Sequence, residues 1–281
     1  LSKLIVERIS KKQHSQVTDK SVALQIRPNC KRDWMFGTYA GLIVVVFLSV
    51  PLIVVFASLV KLWPYQNGTA PLWNSIGVAM ATAFFGVIAV FAAAIVTLKF
   101  RTPLSGPISF LATLPASIPG MVLGLGYVLA FNSLSNPLNF LYGTFPLIIL
   151  LYIYYNHAQG YLITATSLKQ ISSTFDEAST MLGGSALRTL FKVTLPLLWP
   201  TLLGVGVFFF MRAMVSLSAV IFLITPQTQV AAVSVLQLAD RGATNQAAAF
   251  SVCIMGIVIL MLLLVRAVLW AAGARGVTLI R

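Results

Sequence analysis

Apolar residues run through this chain in long stretches, and the polar residues gather in the gaps between them. Six stretches are long enough for a helix to cross a bilayer, which takes about 20 apolar residues. They cover 37–60, 74–98, 107–131, 142–164, 198–224 and 247–271. None alternates with period two, as the strands of a membrane barrel would. The pattern predicts an all-α integral membrane protein with six transmembrane helices. Residues 37–275 form the helical domain, 1–36 a basic tail or inter-module linker, and 276–281 a second tail.

Composition supports this division. The chain is 58% hydrophobic and 9% charged, with a mean hydropathy of +0.92, whereas soluble domains carry about 25% charged residues. The net charge of +13 does not point to nucleic acid, because the basic residues lie in short gaps between apolar runs. Their distribution sets the topology. Lys3, Arg8, Lys11, Lys12, Lys20, Arg27, Lys31 and Arg32 precede the first span. Lys99 and Arg101 follow the second, Lys169, Arg188 and Lys192 the fourth, and Arg266, Arg275 and Arg281 the last. The opposite side holds only Lys61 and Arg241, and Arg212 falls within a span. Cytoplasmic loops carry the excess of Lys and Arg, so both termini and the 165–197 loop are expected in the cytoplasm.

Cys30 and Cys253 lie in unlike surroundings, and no CxxC or His/Cys cluster suggests a metal site. His157, in YYNHAQGY, has no second His or carboxylate near it and reads as structural. Trp63, Tyr65 and Trp73 flank an outer loop and suit an interfacial aromatic belt.

The third span is irregular. Pro115, Pro119 and Gly120, in the run PASIPGMVLGLG, are expected to kink or unwind it. Broken backbone is tolerated in a membrane where protein or a water-filled path satisfies it. Close helix packing at the glycines is the other reading.

The 165–197 loop is the polar island of the chain. Ser173 or Thr174 can cap a helix there, and Thr174-x-x-Glu177 fits a capping box. Gly183 suits the left-handed end of that helix, and Ser185 can cap a second helix running to about Val193, limited by Pro196. Glu177-Ala178-Ser179, then Gly183, then Val193-Thr194-Leu195-Pro196 resembles the EAA loop of ABC-importer permeases, with Ser179 and Val193 as mild departures. The resemblance covers roughly residues 37–275 and implies a type I ABC importer permease of the bacterial inner membrane. It implies that Asp176, Glu177, Ala178, Ser179, Gly183, Leu195 and Pro196 dock a cytoplasmic ATPase subunit. It also implies a periplasmic or lipid-anchored binding protein, and ATP used by the partner only. The chain has no GxxxxGK[ST] phosphate loop; neither enzymatic activity nor a bound cofactor is expected of it.

Such a permease needs two modules, fused or homodimeric. Residues 1–36 resemble the linker of fused ferric-iron and 2-aminoethylphosphonate permeases, which would make this chain the C-terminal half. The other reading is a basic tail that meets anionic lipid. Ser117–Asn132 and Ser216–Gly242 are similar to the 2-aminoethylphosphonate branch, with the ferric branch next; another anion, thiamine and a polyamine are alternative solutes.

Arg212 is the sharpest single residue, since an arginine in mid-span costs about 2.5–3.5 kcal/mol. It is expected to line the solute path with Ser216, and Asn132 at the outer end of span 3 is a weaker candidate. A structural arginine bonded to the broken third span is the competing reading. Asp240 and Arg241 lie in an outer loop. An ion-coupled secondary transporter is the alternative class, but no Asp or Glu falls inside a span to carry the coupling.

Overall fold

In the computed structural model, residues 29–59, 69–100, 103–172 and 174–271 are described. Among them every regular element is helical. The chain divides into two units, Leu1–Val50 and Pro51–Arg281, and each is described by itself.

Helix α1, Cys30–Leu59, begins in the first unit and ends in the second. It starts seven residues ahead of the expected span. Asn29 Oδ1 accepts the Arg32 N–H at 3.5 Å, and Asp33 Oδ2 accepts the Asn29 N–H at 3.1 Å. This reciprocal cap satisfies amides that would otherwise lack partners at a helix start, so the helix reaches back over charged residues. Most of the 1–36 tail lies outside the described residues.

The second unit is built on α2 (Ala70–Leu98), α5 (Phe145–Gln170) and α7 (Ala186–Val215), which pack on one another. Leu147, Ile148, Leu151 and Tyr152 of α5 are inaccessible to solvent. Close approach depends on two glycines. A Cβ on Gly86 of α2 would meet the Phe209 ring at 2.9 Å, and one on Gly160 of α5 would meet it at 2.7 Å. Phe209 of α7 fills the notch they leave.

Four helices, α1, α2, α7 and α9 (Thr244–Ala271), are long and apolar enough to span a membrane, and a bent pair raises the number to five. Helix α5 is long enough but falls outside this set. Its segment Tyr154–Tyr161 is too polar, and the polar groups find partners inside the protein. Tyr161 Oη lies 3.0 Å from Thr97 Oγ1, and Thr164 Oγ1 donates to Gly160 O at 2.9 Å. A helix surrounded by others has no need of an apolar surface.

The third span breaks as expected, and sharply. Helix α3 (Ser105–Thr113) and a 3-10 turn (Leu114–Ser117) meet α4 (Gly120–Phe131) at 108°. Pro115 opens the 3-10 turn, and Pro119 forces Ile118 into an extended conformation, φ −103°, ψ 121°.

Span 5 needs correction. It was expected to continue to 224, but α7 ends at Val215, and residues 216–230 form turns without helix or strand. Ala219, Val220, Leu223 and Thr228 of this segment are buried, and its turns supply their own bonds, such as Val220 N–H to Leu217 O at 3.2 Å. An additional helix, α8 (Ala231–Asp240), follows where a loop was expected.

Candidate docking loop and solute path

The docking loop forms from local rules. Helix α6, Thr174–Met181, ends on Gly183 at φ +73°. Gly184 N–H donates to Ser179 O at 2.8 Å, and Gly183 N–H to Thr180 O at 3.0 Å. This double bond pattern closes the open carbonyls of the last turn. Ser185 then caps the next helix by accepting the Arg188 N–H at 3.3 Å. Both expectations, Gly183 as terminator and Ser185 as cap, match the geometry.

Two local expectations do not. Thr174 is the first residue of α6, not its cap; its N–H is accepted by Ser172 Oγ at 3.3 Å, and among the described residues no hydrogen bond joins it to Glu177. Ser173 lies outside the described residues. Pro196 does not limit the second helix. A π turn over Leu190–Thr194 precedes it, with Leu195 N–H donating to Leu190 O. The widened turn makes room for a proline that has no N–H and would crowd the carbonyl four residues back. The helix therefore runs unbroken from Ala186 to Val215.

The loop is tied down at two points. Asp176 forms an ion pair with Lys99, at the C-terminal end of α2. Ser179 Oγ lies 2.6 Å from Thr189 Oγ1, linking α6 to the foot of α7. Thus Ser179, one of the departures from the EAA pattern, has a bond that alanine would lack. Glu177 and Ala178 are exposed, and Met181 and Leu182 are 91% and 87% exposed at the tip. Leu195 is half-buried and Pro196 exposed.

A second cluster forms where the two breaks meet. A Cβ on Gly124 would collide with Ala219 O, and one on Gly120 with Ser218 Oγ. The bend of the third span therefore lies against the unwound segment after α7. Beside them, Arg212 Nε–H donates to Asn156 Oδ1 at 3.0 Å, and its guanidinium lies 5.9 Å from the centre of the Tyr155 ring. Ser216 ends α7, and its carbonyl accepts the Tyr152 hydroxyl at 2.8 Å. Arg212 and Ser216 thus share this region, together with Pro115, Pro119 and Gly120 of the break. Asn132 ends α4, and among the described residues no hydrogen bond joins it to the cluster. Asn156 and Tyr155 were not among the expected path residues; an asparagine in mid-helix beside the noted histidine was the available signal. His157 Nδ1 lies 3.2 Å from Ala112 O, a structural contact. Trp73 is exposed at the start of α2, whereas Trp63 and Tyr65 lie outside the described residues.

Chemically, the loop offers an exposed apolar tip on a short stapled helix. The cluster offers a guanidinium whose Nε is engaged and whose two terminal nitrogens have no bond among the described residues.

Residues 86–272 match the family described as binding-protein-dependent transport system inner membrane component. The chain is 33% identical over 195 residues to the ferric transport system permease protein FbpB of Actinobacillus pleuropneumoniae, covering 69% of this chain and 26% of that protein. It therefore spans about a quarter of the length of that relative. It is 24% identical over 247 residues to the putative 2-aminoethylphosphonate transport system permease protein PhnV of Salmonella paratyphi A, covering 81% of this chain and 91% of that protein. Among solved structures, a bacterial alginate ABC transporter in complex with an alginate pentasaccharide-bound periplasmic protein superposes with a TM-score of 0.73 at 18% identity. That match covers 88% of this chain and 98% of the other. The MetNI methionine ABC transporter superposes with a TM-score of 0.58 at 14% identity, over 72% and 94% of the two chains.

Proposed function

Because the chain belongs to the family of binding-protein-dependent transport system inner membrane components, we propose that it is one transmembrane module of an ATP-driven importer. The module works with a second one, fused to it or as a second copy. Helix α6 docks a cytoplasmic ATPase subunit, with Asp176, Glu177, Ala178, Ser179 and Gly183 shaping the contact and Met181 and Leu182 entering the partner. Both termini lie in the cytoplasm with the loop. A periplasmic or lipid-anchored protein delivers the solute, and closure of the ATPase pair moves the path between outward-open and inward-open states.

The observation that carries this reading is the stapled, Gly183-terminated helix with its exposed apolar tip. The adjacent, almost fully exposed Met181 and Leu182 at the tip of a held helix suit insertion into a partner. The solute class follows from the relatives' names, 2-aminoethylphosphonate or ferric iron, and from Arg212. A positioned guanidinium whose terminal nitrogens have no bond among the described residues favours an anionic solute or an anion-chelated metal.

Co-purification from the membrane, followed by reconstitution, tests the reading. Tagged chain brings down an ATPase subunit, and uptake into proteoliposomes requires ATP and the binding protein. Glu177→Lys and Gly183→Asp abolish the association while the thermal stability of the chain stays near that of wild type. Uptake by the chain alone, driven by a proton gradient, overturns it.

A further inference from the structure

The walls of a separate cavity come from the start of α2, the end of the irregular 216–230 segment and the far end of α8. Its volume is about 570 Å³, and its polar lining is Asn74, Thr225, Gln227, Gln229, Gln237 and Arg241. That size lies within the roughly 300–1,000 Å³ of small-ligand pockets. The lining is unusual for a chain with 9% charged residues: four carboxamides and a guanidinium converge, and no carboxylate joins them.

The walls are held by their own bonds. Asn74 Nδ2 donates to Gln229 O at 3.0 Å, and Gln229 Nε2 to Gln237 Oε1 at 2.6 Å. Ala231 N–H donates to Ser75 Oγ at 2.7 Å, joining α8 to α2. A Thr225–Thr228 turn closes the rim, with Thr225 N–H donating to Thr228 Oγ1 at 3.0 Å. These bonds hold the Asn74, Gln229 and Gln237 amides in place and engage the Gln237 side-chain carbonyl, while Gln227 and Arg241 are exposed at the rim. The Gln237 amide N–H groups are left to face a ligand. Arg241 forms no ion pair among the described residues, although Asp240 is its neighbour in sequence. Arg212 is not part of the lining.

We propose that this cavity is a binding site for a small hydrophilic oxyanion, a carboxylate or phosphoryl group. Arg241 supplies the charge, and Gln237 with Gln227 supplies the hydrogen bonds. A held amide donor beside a cation, with no carboxylate in the lining, selects a negative group over a neutral or positive one. The site goes beyond the transport reading and does not depend on Arg212. A free solute and a lipid headgroup carry the same phosphoryl chemistry, and the experiment separates them.

The test is equilibrium binding of inorganic phosphate and of acetate to the full chain in phosphatidylcholine nanodiscs, repeated with phosphatidylglycerol added. At least one probe binds saturably. Arg241→Gln and Gln237→Glu weaken it at least tenfold, whereas Arg266→Gln, on α9 and outside the lining, leaves it unchanged. Retained thermal stability shows that both variants fold. If phosphatidylglycerol displaces the probe, the occupant is a headgroup; if not, it is a free solute. Absence of saturable binding by either probe in both lipids overturns the site. So does binding that survives both substitutions, or that is lost in Arg266→Gln.

Discussion

Arg212 donates its Nε–H to Asn156 Oδ1 at 3.0 Å, while Asn156 Nδ2 donates to Tyr152 O at 2.9 Å. Asn156 is 1% exposed. The asparagine is thus held by its own helix and aims the guanidinium from a fixed point. A hydrogen bond to a charged group contributes about 1.5–3 kcal/mol, and about 1.4 kcal/mol is a factor of ten. Asn156→Leu is therefore expected to slow uptake at least tenfold at low solute concentration. Arg212→Gln does the same, and Arg212→Lys fails to rescue because lysine has no Nε to give Asn156. Uptake and solute-stimulated ATP hydrolysis by the reconstituted complex check this. Full activity in a folded Arg212→Gln complex removes Arg212 from the path.

Gly183 and Gly184 make different demands. At Gly183, φ is +73° and the space for a Cβ is open, so alanine there costs only the left-handed conformation, roughly 1–2 kcal/mol. At Gly184 a Cβ would lie 2.9 Å from the Ser179 carbonyl oxygen, so the backbone must move. Gly184→Ala is expected to reduce ATPase retention on affinity beads more than Gly183→Ala. The reverse order contradicts the loop geometry.

The Lys99–Asp176 pair joins the docking helix to the end of α2, with side chains 21% and 39% exposed. Such a pair contributes under about 1 kcal/mol, so Asp176→Lys is expected to leave the melting temperature nearly unchanged. Its effect is on coupling, seen as reduced solute-stimulated ATP hydrolysis, and the charge-swapped Lys99→Asp/Asp176→Lys chain recovers it. A swap that recovers nothing shows that Asp176 acts on the partner and not through Lys99.

Phe209 occupies the notch left by Gly86 and Gly160. Overpacking a filled core costs about 1–3 kcal/mol. Gly160→Ala should lower the thermal midpoint in detergent, and adding Phe209→Leu should restore part of the loss. An unchanged midpoint in Gly160→Ala means that the helices can separate at no cost.

Local rules carried the sequence reading a long way. Gly183, Ser185 and the Pro115–Gly120 break act within a few residues of themselves, so the chain announces them directly. The unwinding after Val215 was hidden because Leu217, Ala219, Val220 and Ile221 continue the apolar run without a proline or glycine. Burial there follows from packing against Gly120 and Gly124, a contact across about a hundred residues. Pro196 misled for the opposite reason. It is a strong local stop signal, and a π turn that ends two residues earlier, at Thr194, cancels it. Asn156 could be identified as a partner of Arg212 only once α5 and α7 lay side by side.

The π turn that carries α7 past Pro196 has a mechanical result. One helix of 30 residues, about 45 Å at 1.5 Å per residue, carries the stapled foot at Thr189 and the guanidinium of Arg212. On the proposed docking, a push at the foot reaches Arg212 along this continuous helix, with no loop between them. The widened turn at Leu190–Thr194 lies between Thr189 and Arg212, so the direction of a stroke passed from the proposed docking loop to Arg212 depends on those five residues.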